Sequence, residues 1–298
     1  MEKISYFKLA ESKNDFERLI SKFGLKMEPD TWLSRAFIII ERLSRFYDHR
    51  LFMIDPAGYR QFIDKEDQVL FALHDVCLIE NFSSLLQHEE GAFLKRKLQN
   101  ILKLSPLNLE TETNVEARNT LWEFNFLARL KNSGINADLA DPNPDIIASF
   151  SKRKYFIQCK RCFSNSPRSL RRNIKDAVNQ LEKDLQNNST AFGIIALSLE
   201  FPITNGQLML KASTEEHGKN ELRRLLENIR IEHGQFWQDP SVIKDQRIIG
   251  IVLHVSVPCM IKDSNIFSIG SQTHFNNTWI NTGDFRYITE DFASLAEY

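Results

Sequence analysis

Two runs of apolar residues, Phe192 to Phe201 (FGIIALSLEF) and Arg247 to Ile261 (RIIGIVLHVSVPCMI), restrict this chain more than any other feature. Neither alternates apolar with polar residues, so neither suits a strand with one face in water. Continuous apolar strands belong in the middle of a sheet covered on both faces. The second run is expected to end at Pro258 or soon after, because proline gives the ladder no donor. Between the two, Glu215 to Gln238 reads as a long charged helix, and after Ile261 the Asn-, Thr- and Phe-rich remainder reads as short strands or loops.

Upstream, residues 116–185 supply the other pieces of such a sheet. EARNTLWEFNFLARLKNSG is a helix in which Phe124, Leu127, Ala128 and Leu130 fall together and Gly134 is the stop. Asn136 to Asp141 is a short strand and DPNP a turn; Ile146, Ile147 and Phe150 then suit a second strand. SKRK turns the chain into a third strand, Tyr155 to Arg161. Ser166, with Pro167 at the first helical position, opens a helix to Asn187, whose apolar line is Leu170, Ile174, Val178, Leu181 and Leu185. The order α-β-β-α-β-α-β favours a mixed sheet flanked by helices.

Residues 1–105 read as helices only. DTWLSRAFIIIERLSRFYD opens with Asp30 as its N-cap and carries Trp32, Ala36, Ile39, Ile40, Leu43 and Phe46 at helical spacing. DKEDQVLFALHDVCLIENFSSLLQH puts Val69, Leu70, Leu73, Val76 and Cys77 on one stripe, and EEGAFLKRKLQNILKL is a third helix. Asp55-Pro56-Ala57-Gly58 is a turn, and His49, His74 and His88 are expected to be structural. The polar SPLNLETET connection suggests an all-helical N-terminal domain over residues 1–108 and an α/β domain over 109–298. At 298 residues, about two domains is the natural size.

Composition narrows the class. No stretch approaches the ~18 consecutive apolar residues of a membrane span, and MEKISYFKLAESK does not read as a signal peptide, so a cytoplasmic location with no membrane partner is the expectation. Cys159-x-x-Cys162 lacks the second ligand pair that a closed zinc site needs, so Cys77, Cys159, Cys162 and Cys259 read as reduced thiols. There is no Gly-x-Ser-x-Gly and no phosphate-cradling Gly-rich loop, which disfavours serine nucleophiles and nucleotide binding. The net charge of −1 makes no global case for nucleic acid, but its distribution does. Between Ser151 and Lys175 there are nine basic residues and no acidic one.

The chemistry-bearing residues sit inside that same stretch. Gln158 and Lys160 are two apart on a strand and so share a face. Asp145 opens the preceding strand, with Asp138 and Asp141 as rivals, and Glu123 borders the apolar side of its helix. A carboxylate there is either a partly buried salt bridge, with Arg118 or Arg129, or a site acid. Phosphodiester hydrolysis calls for a nucleophilic water and for neutralisation of charge on the phosphate, both of which Mg²⁺ supplies. Mg²⁺ takes oxygen ligands, usually one or two carboxylates with waters. Asp145, Gln158, the Cys159 carbonyl and Glu123 could provide such oxygens, with Lys160 helping to deprotonate the water and facing the phosphate. Arg161, Arg168, Arg171, Arg172 and Lys175 would hold a nucleic-acid backbone, and the helix start at Ser166 to Arg168 offers free N–H groups to a phosphate.

Pro144-Asp145, then Gln158-x-Lys160, with Glu123 on the preceding helix, resembles the PD-(D/E)xK nuclease superfamily over about 70 residues. The Gln-x-Lys form is similar to that of the Mrr-like restriction nucleases. The resemblance implies a restriction-endonuclease-like α/β fold, with Asp145, Gln158 and Glu123 around Mg²⁺ (Mn²⁺ substituting) and Lys160 as the catalytic lysine. It also implies a DNA endonuclease of restriction or defence, acting as a homodimer if it makes paired cuts. Gln158 departs from the acidic residue of the motif, offering one ligand oxygen and no charge. Gln180 resembles the helix glutamine of RecB-like nucleases, without their following tyrosine. Two other readings are a nuclease-fold protein that binds nucleic acid without cutting it, and a helical protein-interaction module.

Overall fold

A computed structural model describes residues 5–48, 55, 57–58, 66–106, 112–141, 143–162, 166–199, 210–261, 266–278 and 285–296. The turn expected at Asp55-Pro56-Ala57-Gly58 lies partly, and His49 wholly, outside those residues. Among the described residues no helix is long and apolar enough to cross a membrane.

The first half is a helical layer. It comprises α1 (Tyr6–Lys22), α2 (Trp32–Asp48), α3 (Glu66–Ser83), a 3-10 turn (Leu85–His88), α4 (Ala92–Ile101) and α5 (Glu112–Asn132). The N-cap of α2 is Thr31 and not Asp30: the Ser34 N–H donates to Thr31 Oγ1 at 3.3 Å, and the Arg35 N–H to the Thr31 carbonyl. Aromatic contacts run through the layer, from Phe16 to Phe37 and Phe82 and from Phe82 edge-on to Phe124 of α5 at 5.0 Å. A buried polar knot ties the same helices. Asp75 accepts from the Trp32 indole at 2.7 Å and from the Arg118 guanidinium, which also donates to the Ser105 carbonyl. Burial alone would raise the Asp75 carboxyl, but Arg118 and His74 hold it well below the usual range. Gly134, at φ 77°, ends α5: its N–H reaches the Lys131 carbonyl and the Ile135 N–H reaches Leu130.

The second half builds a seven-stranded mixed sheet. Its strands are β1 (Asn136–Leu139), β2 (Ile146–Ser149), β3 (Lys154–Arg161), β4 (Ala191–Ser198), β5 (Leu210–Ala212), β6 (Ile248–Ile261) and β7 (Ile266–Asn277). β1, β2 and β3 are antiparallel neighbours; β3, β4 and β6 run parallel. One edge of β6 carries antiparallel β7, and the other is shared by β4 and, further along, parallel β5. α6 (Pro167–Gln186), capped by Ser166, and α7 (Glu215–Glu232) cover one face. The helical layer and the short α9 (Phe285–Asp291) and α10 (Ala293–Ala296) cover the other, while α8 (Gly234–Trp237) follows α7 after a break at His233.

β6 ends at Ile261, three residues past Pro258, within the expectation of a stop at that proline or soon after. Pro258 falls between His254, the last residue of β6 paired with β4, and Cys259, the first paired with β5. A residue with no N–H is tolerated where one edge of a strand has no described partner. The segment after Ile261, expected as short strands or loops, holds among its described residues one twelve-residue strand and two helices. Asp291 of α9 clamps the β2–β3 hairpin, accepting from Arg153 at 2.6 and 2.7 Å and from the Tyr155 hydroxyl at 2.6 Å.

The two sides have different cores. α6 and α7 meet one face of the sheet through Phe156, Ile195, Leu197 and Leu253. The other face, with Tyr155, Ile157 and Ala196, joins α1 to α5 in a single uninterrupted core.

Candidate functional site

β3 sorts its side chains by alternation. Tyr155, Ile157 and Cys159 belong to the α5-side core, and Phe156 belongs to the α6-side core. Gln158 and Lys160 therefore face α6. The structure puts them against it: Lys160 Nζ donates to Gln180 Oε1 at 2.5 Å, and Gln158 Nε2 lies 3.5 Å from Asp184 Oδ2. Gln158 is fully buried, and its Oε1 has no hydrogen-bond partner among the described residues.

Asp145 arrives from the β1–β2 hairpin, which the Ala140 N–H closes on the Asp145 carbonyl at 3.2 Å. Since Ile146 pairs with Ile157, Asp145 sits one step past the end of the β2–β3 ladder. From there its Oδ2 accepts the Cys159 N–H at 2.8 Å. A strand residue points its N–H and C=O to the same edge, so the Cys159 carbonyl also projects toward Asp145. The rival acids lie elsewhere: Asp138 is an exposed partner of Lys131, and Asp141 pairs with Arg96 at 2.9 Å.

Glu123 approaches from α5 on the other side of the strand. Its partner is neither Arg118, which is bound to Asp75, nor Arg129, which donates to Ser271, but Lys97 of α4. Both members of the pair are largely buried. Burial first, then the negative charge of Asp145, pushes the Glu123 carboxyl up to about 7 against the opposing pull of Lys97 and Lys160. Burial also raises Asp145, opposed by the Cys159 N–H and by both lysines. Asp184 is raised as well, by burial and by Asp145. The site thus holds two buried carboxylates that disfavour each other's ionisation, set between two ammonium groups.

Cys159 and Cys162 cannot act together, for they lie in cores on opposite faces of the sheet. Burial pushes the Cys162 thiol up to about 12, and burial with the two carboxylates pushes Cys159 well up. Neither supplies a thiolate near neutral pH. Among the described residues no group of three or more His, Cys, Asp and Glu side chains is placed to hold a metal. The donor set at Glu123, Asp145 and the Cys159 carbonyl, all hard oxygens, fits a cation that keeps several of its waters.

The basic residues divide. Arg168, Arg172 and Lys175 are exposed on α6. Arg171 lies nine residues, about two and a half turns, before Gln180 and so on the opposite flank of the helix. There it binds Asp239 at 3.0 Å and Ser241 at 3.1 Å. Arg161 does not join this surface. Strand alternation turns it to the α5 side, where it is 9% exposed. It heads a cross-strand row with Ser198, His254 and Thr273, over which Trp122 stacks on His254 at 5.1 Å.

Sequence reasoning missed Lys97 and Asp184. Each had the signal that singled out Glu123, a charge bordering an apolar stripe: Lys97 beside Leu94 and Leu98, Asp184 beside Leu181 and Leu185. Comparison of the chain with protein-family models, with curated proteins and with solved structures gave no match.

Proposed function

We propose that the chain is a divalent-metal-dependent nuclease of restriction-endonuclease-like fold, hydrolysing phosphodiester bonds in DNA as an endonuclease of restriction or defence. The observation that carries this reading is the pair Glu123 and Asp145, buried, mutually unfavourable as anions and flanked by Lys160. Paired buried carboxylates with raised pKa values make a candidate functional site with a physical rationale, and a cation is what would relieve them. When bound there, Mg²⁺ or Mn²⁺ would acidify water and neutralise phosphate oxygens. Asp145, Glu123 and the Cys159 carbonyl would hold the ion. The amide of Gln158 stands where the motif has an acid, and its buried Oε1 awaits a partner. Lys160, steadied by Gln180, would hold the attacking water by a hydrogen bond from its ammonium and set that positive charge against the scissile phosphate. Arg168, Arg172 and Lys175, ~7–18 Å along α6 from Gln180, would track the backbone without reading sequence.

The test is cleavage of supercoiled plasmid, linear duplex and single-stranded DNA with Mg²⁺, Mn²⁺ or EDTA, for wild type beside Asp145→Ala and Lys160→Ala. Metal-dependent nicking should fall by about a hundredfold or more in each variant. Variants that cut as well as wild type would refute the reading. A second reading, nucleic-acid binding without cleavage, is favoured by Gln158 in the acidic slot and by Lys97 bound to Glu123. It predicts tight, salt-sensitive binding with no cleavage of any form.

A further inference from the structure

Helix α4 belongs to the helical half of the chain, which the nuclease resemblance does not touch, yet two of its adjacent residues reach the two acid-bearing elements of the site. Lys97 binds Glu123 on α5. Arg96 binds Asp141, in the loop that delivers Asp145. The helix has little freedom to withdraw, because Leu94, Leu98 and Ile101 are buried and Asn100 is hydrogen-bonded to Glu116 at 2.9 Å. The Lys97 stem is packed too, with its ammonium 5.3 Å from the centre of the Phe93 ring. An ammonium fixed on one carboxylate of a buried acid pair does electrostatically what a bound cation does there.

We propose that Lys97 is the resident cation of the site: it neutralises the Glu123–Asp145 pair until a divalent ion displaces it, so that the N-terminal helical layer sets the affinity of the site for metal. This rests on the reading of Glu123 and Asp145 as the place where a divalent ion loads. Lys97 is a positioning residue. A lysine with a purely structural role would, when removed, weaken metal binding or leave it alone. Removal of a competing charge strengthens it. Even at the dielectric constant of bulk water, repulsion between one and two positive charges about 5 Å apart is worth about a tenfold change in affinity.

The experiment is calorimetric titration of Mn²⁺ into the full-length chain, without nucleic acid, for wild type, Lys97→Met, Lys97→Arg, Asp145→Asn and the Lys97→Met/Asp145→Asn double variant. Lys97→Met should bind Mn²⁺ at least about tenfold more tightly than wild type, Lys97→Arg no more tightly, and the double variant should lose the gain. If Lys97→Met binds equally or more weakly while Asp145→Asn still weakens binding, the role of Lys97 is overturned and the nuclease reading stands. If none of the proteins binds Mn²⁺, the cation site itself is refuted. A measurement on the wild type alone guards against a variant that does not fold. Acetylation of Lys97, read by mass spectrometry against its neighbour Lys95, should accelerate on addition of Mn²⁺, and an unchanged ratio would overturn the proposal.

Discussion

Replacing Glu123 by glutamine should change how the stability of the protein depends on pH, in a direction fixed by the sign of the shift. The carboxyl titrates at 4.5 in an unfolded chain and about 7 in the fold, because burial and the charge of Asp145 both oppose its ionisation. Below pH 4.5 the group is protonated in both states and makes no difference between them. From pH 4.5 to about 7 the unfolded chain gives up the proton while the folded chain keeps it, so stability is lost as pH rises. Above pH 7 the loss is complete at about 3 kcal/mol. Glutamine mimics the protonated acid in shape and cannot titrate. Glu123→Gln should therefore match wild type in acid and gain on it progressively, by about 3 kcal/mol, as pH rises past 7. For a chain of this length that is a divergence of about 5–10 °C in Tm. Thermal melts of both proteins, without divalent ions, across that range supply the measurement. Parallel curves, or a difference that shrinks with rising pH, would refute the electrostatic account of the site. Asp145→Asn should diverge in the same direction, since its carboxyl is raised as well.

Two more expectations concern other parts of the molecule. Arg118→Met strands Asp75 as a fully buried charge without its guanidinium. It should lower the stability measured by urea unfolding by about 3–5 kcal/mol, and adding Asp75→Leu should restore part of that; a loss under 1 kcal/mol would show that the knot is not held by this pair. Reversing Arg168, Arg172 and Lys175 to glutamate should weaken binding to labelled duplex DNA by anisotropy and flatten its dependence on salt, by about 0.9 in log–log slope for each phosphate no longer neutralised. Reversing Arg171, which is already bound to Asp239 and Ser241, should do less, and an unaltered slope in the triple variant would remove α6 from the interface.

What the sequence made legible was local. Ser166 and Pro167 announced α6 because a cap and a fixed φ act within one turn of helix. Asp145 was preferred over Asp138 and Asp141 because only it opened an apolar strand, and the structure brings it alone of the three beside Cys159. The rest needed partners distant in sequence. That β6 carries Pro258 three residues before its end is explained only once β4 and β5 are seen to leave a gap beside it. β7 reads only as short strands or loops because SQTHFNN lacks an apolar alternation, and what holds it as one long strand is the ladder with β6. Lys97 lies 26 residues from Glu123, and no spacing rule connects them. Arg161 is a different kind of error. The alternation that set Gln158 and Lys160 on one face also turns Arg161 to the other, and counting it within a run of charge concealed that.

The uninterrupted core that runs from α1 through α5 to the sheet restricts how this protein can be divided. Phe82 packs on Phe124, and Trp32 and Asp75 on one side are bound through Arg118 to α5 on the other. A fragment beginning near residue 109 would offer water the whole inner surface of α5, at roughly 1.5–3 kcal/mol for each large side chain uncovered. A protease that cuts between residues 106 and 112 should leave a nicked particle that stays together and not two separable products. The same seam restricts inheritance. A recombination event that replaced the first hundred residues with an unrelated helical module would have to match an interface, a buried ion pair and the charge beside the acid site all at once.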